Sequence, residues 1–324
     1  MFSSRRSHPF DISKSEKNHT PVTEFYLLGF GELHSAKFIS FFFFLIIYLA
    51  TVLGNLLLIV AVAVEHKLHS PMYVFLTFLS LSDLLVITSV LPNLLYLLLS
   101  AGGTMSYAGC VTQFFLFGVS SVAESFLLTA MSYDRYVAIC NPLHYGSIMN
   151  LRLCLCLVLW SWLLGLVLVS TTGTLVFSLY FCGPNTINHF FCDFVPLIEL
   201  SCSDTYLVET VILLVSIPIA FVPLLFIVGT YICILHSILS VSSTIRRQKA
   251  FSTCSSHLTV VSSFYGAQLG LYVFPSKGHS LNANKVIALI YTVFTPMFNP
   301  MIYSLKSREI MLALRSIFFW RMTH

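Results

Sequence analysis

Residues 38–64 read FISFFFFLIIYLATVLGNLLLIVAVAV, 27 residues without a formal charge. A helix needs about 20 mostly apolar residues to cross the hydrocarbon core of a bilayer, and this run exceeds that length. The pattern recurs along the chain. Residues 71–100 are broken only by Asp83, and residues 107–131 only by Glu124. No charge falls between Arg152 and Asp193 or between Glu209 and Arg246, and 250–274 and 286–305 are charge-free. The runs are too long and too evenly apolar for the alternating strands of a barrel. The expected fold is an all-α membrane protein, a seven-transmembrane helix bundle. Its spans lie at about 38–64, 71–100, 107–135, 153–177, 207–240, 250–274 and 286–305, between tails 1–37 and 306–324.

Composition excludes the other classes. Of 324 residues, 57% are hydrophobic and 9% charged, against about 25% charged in soluble domains. A net charge of +4 is too small for a nucleic-acid surface. Lys and Arg mark the side each loop faces. Lys67, Arg135, Arg152, Arg246, Arg247, Lys249, Lys306, Arg308, Arg315 and Arg321 fall in one set of loops and the C-terminal tail, against Lys277 and Lys285 in the other. The expected orientation is N-terminus outside and C-terminus in the cytoplasm. Asn18-His19-Thr20 is a glycosylation sequon on the outer side, and the first helix is expected to act as its own signal anchor. The N-terminal tail carries basic residues too, a mild counter-signal.

Cysteines divide by compartment. Cys110, Cys182, Cys192 and Cys202 face an oxidising space and Cys140, Cys154, Cys156, Cys233 and Cys254 do not. Four outer cysteines allow three pairings, and spacing alone does not choose among them. His189 and Cys192 resemble half a metal site, but a disulfide is the better reading in a loop with three Cys. No catalytic, phosphate-binding or dinucleotide motif occurs, and no repeat or selectivity filter marks a transporter or channel. An enzyme and a transition-metal site are not expected.

Buried polar residues are costly in a span and call for a reason. Asp83 lies about 20 Å and Glu124 about 16 Å from the cytoplasmic face, at 1.5 Å per residue. Asn55 and Asn299 reach comparable depths. The layer reads either as a hydrated sodium or proton site shared by Asp83 and Glu124, or as a packing network with neutral acids.

The third helix ends in Met131-Ser132-Tyr133-Asp134-Arg135-Tyr136-Val137-Ala138-Ile139-Cys140, followed by Asn141-Pro142-Leu143-His144-Tyr145. Gly54-Asn55, Pro71-Met72-Tyr73, Leu79-Ser80-Leu81-Ser82-Asp83, Lys249-Ala250-Phe251-Ser252-Thr253-Cys254 and Pro296-Met297-Phe298-Asn299-Pro300 stand in order at the other helices. Together these resemble the olfactory receptors among the rhodopsin-like G-protein-coupled receptors. His189-Phe190-Phe191-Cys192-Asp193 is similar to the tetrapod-type (class II) subgroup. Phe264-Tyr265-Gly266 stands where most other rhodopsin-like receptors have a Trp-containing motif. Departures are small: Val74, Ser132, Phe298 and Lys306-Ser307 replace the residues the family usually has, and the N-terminal tail is longer.

The resemblance implies disulfides Cys110–Cys192 and Cys182–Cys202. It implies a switch at Asp134, Arg135 and Tyr136, with Tyr231, Asn299, Pro300 and Tyr303. It also implies a stimulatory olfactory G protein, cyclic AMP, and a place in the plasma membrane of sensory cilia. Ile310, Met311, Leu314, Ile317 and Phe318 recur at helical spacing among basic residues, as in a short cytoplasmic amphipathic helix on the lipid. The ligand is expected one to three turns outward from the polar layer. Phe117, Gly118 and Ser121 on the third helix, Tyr265, Gln268, Leu269 and Tyr272 on the sixth, and Thr292 on the seventh would hold a small, mostly apolar volatile. Phe117 replaces the acid of biogenic-amine receptors, so a cationic ligand would lack its counter-charge. A non-sensory chemoreceptor for a small metabolite would use the same mechanism; a transporter or channel fits less well.

Overall fold

The structure, a computed structural model, describes residues 22–31, 36–182, 184–240, 243–272 and 281–320. Seven long helices build one bundle. They are α1 (Lys37–Val64), α2 (Pro71–Ser100), α3 (Tyr107–Cys140), α4 (Leu151–Phe177), α5 (Tyr206–Ser240), α6 (Thr244–Tyr272) and α7. Helix α7 runs through Leu281–Leu289, a π-helical turn Ile290–Phe294, and Thr295–Lys306. A short α8 (Arg308–Trp320) follows. Among the described residues, α6 is the long helix not apolar enough to count by itself as a membrane span. Its basic first turn and its many Ser and Thr residues account for that.

Several helices outrun the expected spans. Helix α3 continues to Cys140, α6 starts at Thr244 and α7 at Leu281. A charge marks where hydrocarbon stops, whereas helical hydrogen bonding continues beyond it. Local chemistry sets the ends. Ser106 caps α3 by accepting from the Gly109 amide at 3.1 Å, and Asn150 caps α4 by accepting from that of Leu153 at 2.9 Å. Pro71 sits in the first turn of α2, where its missing N–H costs nothing. The π-helical turn of α7 ends two residues before Pro296, which has no amide hydrogen to continue a regular ladder.

Helix α3 runs through the middle, touching α2, α4, α5 and α6. Its approach to α4 depends on glycine. A Cβ at Gly165 would stand 2.8 Å from the Val119 carbonyl oxygen, and one at Gly118 would stand 3.0 Å from Val169. Apolar side chains facing away from the bundle, such as Phe42, Ile46, Leu159 and Leu225, are exposed, as expected of a surface that lipid covers.

One end carries something the sequence reading did not foresee, a three-stranded sheet. Strand β1 (Glu24–Leu27) lies between β2 (Gly103–Ser106), antiparallel, and β3 (Thr186–Ile187), parallel. The signal is only four residues long. Glu24 and Tyr26 point out while Phe25 and Leu27 are fully buried, an alternation too brief to separate from a polar tail. The tail is therefore folded onto the bundle over residues 22–31.

A lysine fixes that arrangement. Lys285 Nζ donates to the Gly29 carbonyl at 2.6 Å and to Asn188 Oδ1 at 2.8 Å, and it lies 5.8 Å from the centre of the Phe30 ring. It joins the N-terminal segment, the loop after α4 and the start of α7. At the other end, Tyr73 donates to Glu309 Oε2 at 2.5 Å and meets Ser307 Oγ at 3.2 Å, tying α2 to α8. Ile310 and Ala313 turn inward and Met311 and Leu312 outward, while the side chains of Ile317 and Phe318 lie outside the described residues. Of the expected stripe, Ile310 packs inward and Met311 faces outward, where an apolar side chain can meet lipid.

Replacing Lys285 with Met leaves the buried Gly29 carbonyl without this donor, a loss of about 1–3 kcal/mol, and removes a contact from the exposed Asn188 side chain. Amide hydrogen exchange over residues 24–31 is expected to rise in Lys285→Met while both disulfides persist. Unchanged protection would show that the lysine does not hold the segment.

Candidate functional site

The disulfide end is roofed by the loop between α4 and α5. Cys192 is bonded to Cys110 at the start of α3, with Cα atoms 5.5 Å apart, and Cys182 to Cys202, 5.9 Å apart. Both pairings match the resemblance. Two amides the sequence reading missed pin the loop further. Gln113 donates to the Ser89 carbonyl at 2.7 Å and accepts from the Cys192 amide at 2.7 Å. Asn93 donates to the Phe190 carbonyl at 2.9 Å. Phe190, Phe191 and Cys192 are fully buried as a result. His189 stacks on Phe190 with centroids 4.7 Å apart. Burial, then the Lys285 ammonium, pushes its imidazole down to about 3.

Beneath the roof lies a cavity of about 150 Å³. Five of the expected ligand residues line it: Phe117, Gly118, Ser121, Gln268 and Leu269. Two others do not. The Tyr265 hydroxyl shares a hydrogen bond with Ser125 Oγ at 2.8 Å, one turn deeper, and Thr292 spends its hydroxyl on the Ala288 carbonyl at 2.8 Å. The side chain of Tyr272 lies outside the described residues. Tyr291, the neighbour of Thr292, faces the cavity instead. The largest omission is α5, which contributes Ile212, Val215, Ser216, Ile219 and Ala220. That helix is apolar on every side, so no periodicity marks its inner face. Leu213, Ile217 and Phe221 belong both to the cavity wall and to the exposed outer face. Asp193, from the roof, places a carboxylate at a cavity expected to have none.

Below the cavity the polar layer is partly joined. Asn299 Nδ2 donates to both oxygens of Asp83, at 3.0 and 3.1 Å. Asn55 donates to the Thr51 carbonyl at 3.0 Å and across to that of Pro296 at 3.2 Å. Glu124 Oε1, Ser120 Oγ, Ser82 Oγ and Asn55 Oδ1 are buried and have no hydrogen-bond partner among the described residues. One to two turns further, His257 bridges three helices. Its Nδ1 meets the Tyr231 hydroxyl at 2.8 Å and its Nε2 the Leu128 carbonyl at 3.1 Å. The sequence alone points to no role for this histidine, and the resemblance names Tyr231 only as part of the switch.

At the opposite end, Arg135 Nη2 stands 3.4 Å from Asp134 Oδ2, whose other oxygen accepts from the Tyr145 hydroxyl at 2.8 Å. Tyr136 stacks beside Tyr133, centroids 6.4 Å apart. Pro300 packs on α1, 3.4 Å from where a Cβ at Gly54 would stand. The Tyr303 hydroxyl is buried with no partner among the described residues. Asn18 lies outside the described residues.

A seven-helix bundle with this disulfide-tied roof is the fold of a rhodopsin-like receptor. Squid rhodopsin superposes with a TM-score of 0.69 at 18% identity, over 89% of this chain and 87% of that one. The olfactory receptor family pattern matches residues 44–321. Human olfactory receptor 13G1 is 42% identical over 93% of this chain and 98% of its own length. Olfactory receptor 1496 of Rattus norvegicus is 46% identical over 92% of this chain and 96% of its own. The chain belongs to the olfactory receptor family. It is an odorant-sensing G-protein-coupled receptor of the plasma membrane, a signalling protein and not an enzyme.

The buried histidine gives the roof a pH dependence. Unfolded, an imidazole takes up a proton near pH 6.5, whereas packed His189 resists protonation down to about 3. A depressed histidine pKa leaves stability intact above 6.5 and removes it progressively as pH falls from there toward 3. Exchange protection over 186–193 is expected to be flat from pH 8 to about 6.5 and to weaken below, with His189→Phe flattening the onset. The same onset in that variant would assign the effect to other groups.

Proposed function

We propose that a small, mostly apolar volatile enters the cavity under the roof and stabilises an arrangement that opens the Arg135 end to a heterotrimeric G protein. The observation that carries this reading is the cavity itself. At about 150 Å³ it falls below the range of about 300–1,000 Å³ usual for drug-sized ligands, which favours a compact guest. Its walls are apolar apart from a few polar groups, as suits recognition by shape and one or two hydrogen bonds. The odorant shifts an existing equilibrium by binding the active arrangement better.

In this reading the disulfide end and a glycosylated Asn18 face outward, α8 rests on the inner leaflet lipid, and the G protein is the stimulatory olfactory type acting through cyclic AMP in sensory cilia. Arg135 exchanges Asp134 for the G protein. The Asn299-Pro300 break and Tyr303 let α7 bend as the helices part. A sodium ion between Asp83 and Glu124 favours the resting arrangement; Glu124 Oε1 and Ser120 Oγ, buried without a hydrogen-bond partner among the described residues, support it.

Cyclic AMP measured in cells against a broad odorant panel, alongside surface staining, tests the scheme. Arg135→Ala is expected to reach the surface and lose at least about 90% of the ligand-evoked signal, since the charge cannot be replaced; retained signalling would reject the switch. Replacing external sodium with choline is expected to raise agonist potency in the parent and to leave Glu124→Gln unmoved. Equal sensitivity in both would dismiss the ion. Loss of a gel shift in Asn18→Gln would place the tail outside; unaltered mobility would count against that orientation.

A further inference from the structure

The walls of the cavity differ in how firmly they are held. Toward the disulfide end, Phe190, Phe191 and Cys192 are fully buried, and Asn93 and Gln113 bond their backbone to α2 and α3. The same loop is fixed by Cys110–Cys192 and, through β3, by the sheet. Beside α5 the wall instead reaches the outside. Ile212, Ser216 and Ala220 line the cavity at four-residue spacing, and Leu213, Ile217 and Phe221 form the next stripe round the helix. That second stripe also lines the cavity, yet its residues are 38%, 51% and 36% exposed on the lipid-facing surface. Helix α5 rests chiefly on α3 and touches α4 and α6 far less. Pro218 and Pro223 interrupt its ladder. The Ile219 carbonyl, which Pro223 has no amide hydrogen to serve, accepts from Ser125 Oγ at 3.4 Å. The helix is therefore least braced where it separates the cavity from hydrocarbon.

We infer that the guest reaches the cavity from the bilayer, passing beside α5 across Leu213, Ile217 and Phe221, and that the receptor thereby selects uncharged, oil-soluble compounds. This rests on the odorant cavity proposed above and adds its port of entry. A compound that dissolves in hydrocarbon collects against that stripe, about fourfold more for each added methylene. A fixed charge is costly in hydrocarbon and stays in the water. Bulk added to the passage raises one barrier that entry and exit share, so both rates fall while equilibrium occupancy holds. Bulk added to a mere wall would lower occupancy instead.

The test uses the full-length receptor in lipid nanodiscs, with both disulfides verified in every variant. The probes are an uncharged hexyl diazirine and the same compound ending in trimethylammonium. Light at set times after mixing fixes each probe where it stands, and mass spectrometry reads attachment at the buried Phe117 and Ser121. Leu213→Trp and Ile217→Trp are each expected to slow attachment of the uncharged probe about tenfold, a modest rise in barrier, and to leave its final level unchanged. Leu225→Trp, exposed but outside the lining, and Gln113→Ala, which loosens the roof, are expected to leave the rate alone. The trimethylammonium probe is expected to attach at under about a tenth of the uncharged rate. Equal rates for the two probes, or a rate that Gln113→Ala raises and both stripe variants spare, would overturn the inference and leave the odorant cavity standing. A lowered final level at an unchanged rate would overturn it as well, since the stripe would then be wall and not passage. No attachment by either probe at any time would count against the odorant cavity itself.

Discussion

In hydrocarbon, a backbone N–H or C=O without a partner costs several kcal/mol, so each span must satisfy its own ladder. That constraint leaves nothing of the backbone to join one helix to another, apart from places where the ladder is broken. The bundle is consequently held by apolar packing and a small set of polar side chains that cross between helices. Asn55 reaches the Pro296 carbonyl of α7, next to the π-helical turn, and Asn299 grips Asp83 of α2. Gln113 reaches α2, and His257 reaches the Leu128 carbonyl of α3. Each of these contacts is specific in a way that Leu against Leu is not, and each can be exchanged for another when helices move.

Beyond the hydrocarbon the constraint relaxes and different devices take over. Disulfides, a short sheet and a buried ammonium close the roof. Water competes for the exposed polar groups there, so covalent links and burial of Phe190, Phe191 and Lys285 carry more of the stability. The two ends thus obey different physics. A roof that is fixed can define a cavity, while an opposite end held by Asp134 and Arg135 at 3.4 Å, part-exposed, can let go.

The seven helices were legible in the sequence because hydropathy over about 20 residues is a long signal with one physical cause. The disulfide pairs and the Asp134-Arg135 motif were legible through motif position, and the layer that holds Asp83 and Asn299 through depth along the helices. The strand at Glu24–Leu27 was not, being four residues that gain their structure from partners near residues 103 and 186. The cavity was half legible. Phe117 and Ser121 could be placed on α3 by four-residue spacing, but α5 is greasy on all sides and hides which face looks inward. Asp193 stands in the sequence as a loop residue beside a cysteine; only the burial of that loop brings it to the cavity wall. Tyr265 reaches a turn below the cavity and Thr292 bonds back to its own helix, neither of which spacing on a single helix can show.

What connects the ends is the inner face of α3. Ser121 lines the cavity, Ser125 one turn on holds the Tyr265 hydroxyl of α6, and the Leu128 carbonyl holds His257, which in turn holds Tyr231 of α5. Arg135 follows two turns later. A guest that presses Tyr291 or α6 changes the position of a helix tied to α3 at two successive turns, by Tyr265 and by His257. Neither tie is apolar, so small displacements cost more than they would between aliphatic surfaces, and the arrangement favours discrete alternatives over gradual bending. A neutral His257 can trade its acceptor nitrogen's partner without leaving its donor unsatisfied, because the Leu128 carbonyl stays in place. Of its two contacts, the one to α5 can therefore be exchanged while the one to α3 is kept.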